Sequence, residues 1–168
     1  MSAGWSHLTF LEGRDIMIYI EERFRFCNIR GKYGMKLIVC LDEKKGMMFN
    51  GRRQSRDRLL IDDIEKQIGN AALYMTAYSE PLFLKNQIRY VISQEPVREA
   101  GDDDYCFVET FDPSPYADSV TEIILYHWNR HYPADLYFSM DMSHFQLIRT
   151  EEFAGSSHEK ITKEVWRK

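Results

Sequence analysis

The clearest pattern in the chain is an apolar run at residues 36–41, where β-branched and other large apolar side chains follow one another without alternation. Strands that are buried on both faces have this pattern, so it predicts a strand in the middle of a sheet. A second pattern is a stripe of apolar residues at intervals of three and four, formed by Leu60, Ile61, Ile64 and Ile68. The stripe predicts a helix from Arg58 to Ile68, and Gly69 is expected to end it.

The rest of the chain predicts further strands between polar loops. Residues 42–57 and 96–104 are polar and are expected to form loops, while 81–85 is expected to form a turn or a brief helix. Segments rich in β-branched and aromatic residues predict strands at 71–78 (with its turn), 88–93, 105–109, 119–130, 134–140 and, at a sheet edge, 144–150.

Two segments fit either a strand or a helix. Residues 15–26 mix apolar and charged side chains without a clear period. Near the carboxyl end, residues 156–159 read Ser-Ser-His-Glu, the form of a capping box, and Ile161 and Val165 would share one face of a following helix. The β-branched and aromatic residues of 161–166 equally suit a strand.

Composition narrows the class of protein. At 168 residues, 44% of them hydrophobic, the chain is long enough for one domain with a packed core. A net charge of -4 weighs against general affinity for nucleic acid. Cys27, Cys40 and Cys106 are widely spaced and fit reduced thiols. No apolar run approaches the roughly 18 residues of a membrane span, so a cytoplasmic protein is expected.

Four segments, taken in order, carry a resemblance to a known family. They are 36–43 (Lys-Leu-Ile-Val-Cys-Leu-Asp-Glu), 88–93 (Ile-Arg-Tyr-Val-Ile-Ser), 120–123 (Val-Thr-Glu-Ile) and 134–138 (Ala-Asp-Leu-Tyr-Phe). Their order and spacing resemble dihydrofolate reductases, which have an apolar strand before Asp-Glu-Asn, then Leu-Thr-x-Ile and Gly-Asp-Thr-x-Phe-Pro. The resemblance covers about 35–168. It implies an α/β fold of three layers around a mixed sheet, trimmed of one helix and ending on a strand.

Three departures from the family's pattern concern its cofactor, NADPH. Between Phe107 and Val120 there is no Gly-Gly pair, and there are too few residues for the family's helix, whose N-terminus helps bind the pyrophosphate. The phosphate-binding Gly-Arg-x-Thr is replaced by Met-Thr-Ala-Tyr-Ser at 75–79, and Leu-Pro-Trp by Arg-Arg-Gln at 52–54. The sequence therefore predicts an eroded NADPH site and no appreciable reductase activity.

The resemblance implies a cleft for a small planar heterocycle or a nucleotide, between the loop after the first strand and the Arg58 helix. Asp57 stands, within a residue, at the position of the family's single acid, which polarises the pterin ring. An equally simple interpretation makes Asp57 the N-cap of the helix.

Other residues of the implied cleft come from the same comparison. Cys40, Ile61 and Thr121 would contact the ligand, and Met48 and Phe49 would face it from the mobile loop. For the two loop residues, ordinary packing of a lid fits equally well. The mid-strand position of Cys40 favours packing over reactivity.

The most basic stretch is 51–58, Gly-Arg-Arg-Gln-Ser-Arg-Asp-Arg. Arg52, Arg53 and Arg56 are candidate phosphate-binding residues, for a nucleotide or for an RNA backbone. With Arg58 they define the alternative function, a weak RNA-binding or a protein-binding module without enzymatic activity. A solvated loop is the simpler interpretation, because no aromatic residues are interleaved.

Metal chemistry is not predicted. His127 and His131 fall in a predicted strand, where four residues span about 13 Å and cannot share an ion. Three aspartates at 102–104 fit a solvated loop. Short chains of this kind are sometimes called ribonuclease Z, but the zinc-binding His-x-His-x-Asp-His motif of that enzyme does not occur here.

Residues 1–34 contain no recognisable piece of the fold. Met35 opens the first strand, and Arg-Gly-Lys-Tyr-Gly at 30–34 can be encoded by purine-rich codons like those of a bacterial ribosome-binding site. Two interpretations stay open. The segment lies outside the natural chain, or it is a real extension that adds a strand or covers a sheet edge.

Overall fold

A seven-stranded mixed sheet organises residues 34–168, which are the part of the chain that this computed structural model describes. They belong to one compact unit, Lys32–Lys168. In chain order the elements are β1 (Met35–Leu41), β2 (Gly46–Phe49), β3 (Arg52–Arg53), α1 (Arg58–Ile68), β4 (Ala72–Met75), β5 (Arg89–Ile92), α2 (Pro96–Glu99), β6 (Tyr105–Phe107), β7 (Val120–His127), β8 (Leu136–Tyr137), β9 (Gln146–Phe153) and β10 (Ile161–Arg167). Short 3-10 turns lie at Glu80–Leu82 and Ser114–Ser119.

The sheet has the strand order β5-β4-β6-β1-β7-β10-β9. Its first five strands are parallel, and β10 runs antiparallel to both β7 and β9. β1 lies between β6 and β7, and Leu37, Ile38 and Val39 are fully buried. The predicted central strand is therefore confirmed. A second, three-stranded sheet has the order β3-β2-β8.

Each face of the large sheet has its own apolar layer. On one face, Ile38 packs with the apolar stripe of α1, whose four predicted residues are all buried. On the other face, Leu37 and Val39 pack with Phe138, Met140 and other residues of the 134–145 segment. The three-layer α/β fold is confirmed, and between β6 and β7 the chain has only the 3-10 turn Ser114–Ser119 where the family has a helix.

The sequence prediction was wrong for residues 42–57, which are not a plain loop. They contain the hairpin of β2 and β3, closed by Asn50 and Gly51 with φ of 49° and 67°. Two central residues with positive φ make the turn whose twist matches that of paired strands. The predicted loop at 96–104 also contains the short helix α2.

At the carboxyl end the strand interpretation is confirmed, and the helix interpretation is wrong. β10 pairs along its length with β7 on one side and β9 on the other. Two ladders of backbone hydrogen bonds outweigh the weak local preference for a helix. The strand predicted at 119–130 ends earlier, at His127. The predictions for residues 15–26 and 1–33 lie outside the described residues.

No helix within residues 34–168 is long and apolar enough to cross a membrane.

Candidate functional site

A pocket lies at the carboxyl edge of the parallel strands, where open α/β sheets bind ligands. Cys40 of β1, Trp128 after β7 and Glu109 after β6 reach it from the sheet, Asp57 and Ile61 from the start of α1, and Arg53 from the β2–β3 hairpin. Its remaining lining residues are Met47, Gln54, Ser55, Arg56, Leu60, Leu82 and Phe107. The cavity volume is about 20 Å³, which is room for one water molecule.

An ion pair between Arg53 and Glu109 forms one wall of the pocket. The guanidinium Nη2 lies 3.0 Å from Glu109 Oε1, and the side chains are 19% and 8% exposed. Tyr78 fixes the arginine, because its carbonyl accepts a hydrogen bond from Nη2 at 2.9 Å and its ring lies 4.7 Å from the guanidinium carbon. Arg53 is thus directed inward, towards a carboxylate.

The contacts of Glu109 with Ser79 and Arg53 both involve the same carboxylate oxygen, Oε1. Ser79 donates its hydroxyl proton to Oε1 at 2.8 Å, and Arg53 contacts the same oxygen. Burial raises the pKa of Glu109, while the Arg53 charge and the Ser79 hydrogen bond act to lower it. None of these contacts within residues 34–168 uses Oε2. Nearby, Gln54 Oε1 is buried without a hydrogen-bond partner among the described residues.

Asp57 caps α1, as one of the two interpretations of its position predicted. Its Oδ1 accepts hydrogen bonds from the backbone N–H groups of Leu59 and Leu60. The same carboxylate also accepts the backbone N–H and the hydroxyl of both Ser156 and Ser157. The side chain has no exposed surface.

These hydrogen bonds decide the charge state of Asp57. Burial would raise the pKa of the carboxyl, but the hydrogen bonds from Ser156, Ser157 and His158 outweigh burial and hold the pKa well below its usual range. The carboxylate therefore stays ionised, and its oxygens are occupied by donors of the chain itself.

His158 links Asp57 to the pocket, and its role was missed by the sequence interpretation. Its Nδ1 lies 3.3 Å from Asp57 Oδ2, while Nε2 lies 3.2 Å from Ser55 Oγ and 3.0 Å from Tyr132 Oη. The ring stacks on Trp128 with a centroid distance of 4.7 Å. The Ser-Ser-His-Glu run was the available signal, but it was interpreted only as a local capping box.

The structure brings some of the predicted ligand-binding residues together and separates others. Cys40 and Ile61 line the pocket. Burial, and to a smaller extent the Glu109 charge, raises the pKa of the Cys40 thiol, which therefore stays protonated. Met48 and Phe49 lie on β2 outside the lining, with Phe49 48% exposed. Thr121 lies near the opposite end of β7, where its hydroxyl donates to the carbonyl of Gly34 at 2.9 Å.

The three predicted phosphate-binding arginines lie in different surroundings. Arg53 pairs with Glu109, as described above. Arg52 and Arg56 are exposed and make no ion pair within the part of the chain that the structure describes, and Arg58 is likewise exposed. Arg56 borders the pocket, whereas Arg52 does not.

The residues between β6 and β7 differ from those that the resemblance implies for an NADPH site. Where the family brings glycine backbone close to a pyrophosphate, this chain places Glu109, which is 7% exposed, two residues after β6. In the same segment, the family's phosphate-binding helix is replaced by the 3-10 turn Ser114–Ser119, which has no side-chain cap.

A wider concavity of about 600 Å³ lies beside Trp128, between 129–130 and 152–160. It is an open surface groove whose walls are mostly exposed side chains. The smaller pocket brings together buried charges and the ends of several strands, so we place the candidate site there.

The remaining polar residues singled out from the sequence lie apart from one another. His127 Nε2 is 3.2 Å from Glu164, and His131 Nδ1 is 3.7 Å from Asp42. Within residues 34–168, no three His, Cys, Asp or Glu side chains are grouped as metal ligands would be. Of the three aspartates, Asp102 and Asp103 are exposed, while Asp104 is buried and accepts the backbone N–H of Ala72.

Comparison with known proteins supports the fold. No family model matches the sequence, and no curated protein matches it. Among solved structures, the chain is similar to the dihydrofolate reductase from Enterococcus faecalis complexed with NADP(H) and RAB-propyl. The two are 10% identical with a TM-score of 0.56, and the match covers 81% of this chain and 96% of that chain. The dihydrofolate reductase-like fold implied by the resemblance is therefore confirmed, and the likeness shows the fold alone.

Proposed function

We propose that this protein binds a small planar heterocycle at the carboxyl edge of its sheet and does not act as an NADPH-dependent reductase. The observation that carries the proposal is the ion pair of half-buried Arg53 with buried Glu109 in a pocket at the ends of β1, β6 and β7. A charged pair beside apolar walls can fix the orientation of a ligand that has both donor and acceptor atoms on a ring edge.

In this proposal Glu109 recognises the ligand. A carboxylate oxygen accepts N–H groups such as those of a 2-amino-4-oxopyrimidine ring, and Oε2 is the oxygen that the Ser79 and Arg53 contacts do not use. Gln54, which also lines the pocket, offers Oε1 as a second acceptor. A ligand would reach Asp57 only by displacing the donors of its own chain, so we assign to Asp57 the positioning of His158.

Apolar residues complete the proposed site. Cys40, Ile61 and Phe107 would contact the faces of the ring, in line with the pocket lining. Because the cavity holds about one water, binding requires the β2–β3 hairpin to move outward. Met48, Phe49 and the exposed Arg52 and Arg56 lie on or beside this hairpin, where they would act on entry of the ligand.

Thermal-shift measurements with pterin, dihydrofolate, GTP and NADPH test the proposal, because a ligand that binds the native state raises its melting temperature. We expect a rise of roughly 5 °C with pterin at 100-fold excess over Kd, and none with NADPH. The rise should disappear in Glu109→Gln and remain in Glu99→Gln, an exposed glutamate on α2.

Two results contradict the proposal. One is the absence of any shift with pterin, dihydrofolate or GTP at millimolar concentration. The other is a rise in melting temperature with pterin that is as large in Glu109→Gln as in the unsubstituted chain. For each protein, the rise is measured from its own ligand-free melting temperature. Salt-sensitive binding of an RNA oligonucleotide that is lost in Arg52→Ala and Arg56→Ala, without any pterin shift, would favour the RNA-binding module.

A further inference from the structure

β9 forms one edge of the large sheet. It pairs with β10 on one side, and no described residue pairs with its other side. Seven of its eight residues, 146–152, are exposed, and only Phe153 is half-buried. An unpaired strand of this length presents a row of backbone donors and acceptors that can pair with a further strand.

The sequence of β9 is complementary to itself when two copies run antiparallel. With Thr150 opposite Thr150, Arg149 of each copy faces Glu151 of the other. Arg149 and Glu151 share one face of the strand, as residues directly opposite each other in an antiparallel pair must. Leu147 lies on the other face, because the pairing with β10 is irregular at Ile148, so that Arg149 is opposite Val165 and Leu147 is opposite Trp166. Two ion pairs would therefore form on one face.

Neighbouring registers lack this complementarity. Two identical antiparallel strands must be centred on a residue, because opposite residues share a face. Centred on Arg149 the pairing would oppose two arginines, and centred on Glu151 it would oppose two glutamates. Like charges directly opposite each other destabilise a pair of strands. Opposite charges thus select the register centred on Thr150 over its neighbours.

The Arg149 and Glu151 side chains are exposed enough to exchange their contact within one copy for contacts with a second copy. Arg149 and Glu151 are 49% and 45% exposed, and they lie 3.5 Å apart along the same strand. Leu147 and Ile148, at the irregular end of the pairing with β10, are 46% and 48% exposed.

We propose that two copies of this chain associate through β9, antiparallel and centred on Thr150, so that their two seven-stranded sheets become continuous. The pairing leaves the pocket at the strand ends of each copy open, since Cys40, Arg53 and Glu109 lie on other strands and on the hairpin. The proposal is independent of the ligand proposed above.

Sedimentation equilibrium of the full chain and its charge variants tests the charges of this interface. We expect a dimer for the full chain, and an increase in the dissociation constant of about tenfold for Arg149→Glu and for Glu151→Arg, because each opposes like charges twice. The double variant, Arg149→Glu with Glu151→Arg, should recover the dimer. Arg98→Glu, at an exposed arginine on α2, is the control.

A disulfide test reads the register directly. In the proposed pairing the two Thr150 Cα atoms lie about 5 Å apart, within the range that a disulfide spans. Thr150→Cys should give a covalent dimer under mild oxidation, and Leu147→Cys, three positions from the centre of the pairing, should not. The unsubstituted chain under the same oxidant controls for its own cysteines.

A monomeric full chain at 100 µM overturns the proposal, whether the edge is covered by residues 1–33 or by nothing. A dimer that is indifferent to both charge reversals overturns it as well. So does a Leu147→Cys variant that cross-links as readily as Thr150→Cys. Circular dichroism of each variant confirms that these exposed substitutions leave the fold intact.

Discussion

Ser156 accepts a hydrogen bond from the backbone N–H of Arg58 at 3.0 Å, across 98 positions of sequence. Arg58 is the first residue of α1, and its N–H is one of the four that a helix leaves unpaired at its start. Asp57 satisfies the next two, and the same serine donates to Asp57. The start of α1 and the 155–158 turn are thus held by one shared network.

We predict that Asp57→Asn lowers the free energy of unfolding by about 3 kcal/mol, because several hydrogen bonds to a buried charge are lost or weakened. Urea denaturation of the full chain measures this. The matched control is Asp62→Asn in the same helix, since Asp62 accepts one hydrogen bond, from Asn86 at 3.3 Å. Equal losses in the two variants would contradict the role given to Asp57.

Acid should weaken the same network. Because the folded-state pKa of Asp57 lies below its ordinary value, the stability it contributes is complete above about pH 5 and is lost as the pH falls below about 4. We expect the chain to lose more stability between pH 6 and pH 3 than Asp57→Asn does. Parallel stability curves for the two would be the contrary result.

Gly155→Ala should damage the turn on the other side of this network. An added Cβ would lie 2.8 Å from Ile161 Cδ1 and against the Asp57 carboxylate, both of which are held in place. Overpacking of this kind costs about 2 kcal/mol. Gly101→Ala, whose nearest contact would be Asp104 Oδ2 at 3.3 Å, should cost much less. Thermal unfolding of both variants gives the comparison.

We expect no appreciable reduction of dihydrofolate with NADPH. The physical reason is that the segment between β6 and β7 contains the 3-10 turn Ser114–Ser119 and no glycine pair, whereas the family binds the cofactor's pyrophosphate there with glycine backbone and a helix N-terminus. Absorbance at 340 nm follows the oxidation of NADPH, with a purified dihydrofolate reductase as the positive control. A turnover near 1 per second, within the ordinary enzymatic range, would refute the expectation.

Local signals explain the parts of the fold that the sequence predicted well. The bounds of α1 followed from its apolar stripe and from Gly69, which ends the helix with φ of 55°. The hairpin at 46–53 also had a local signal, since Asn-Gly between two short strands favours a tight turn. The surrounding charges led instead to the prediction of a loop.

Non-local contacts explain what the sequence could not predict. β10 is a strand because both of its sides are paired, and those partners lie elsewhere in the chain. The surroundings of His158 likewise come from Ser55 and Tyr132, 103 and 26 positions away. No spacing rule within one segment brings such residues together, so the candidate site was predicted only in part.

The capping of α1 by Ser156 has a consequence for biosynthesis. On the ribosome, α1 is translated long before residues 156 and 157, so its first turn lacks those partners until they have been made. Domains fold as units, and those units must be complete. The network around Asp57 therefore forms only after residues 156 and 157 have left the ribosome, and this helix reaches its final hydrogen bonding late in the folding of the domain.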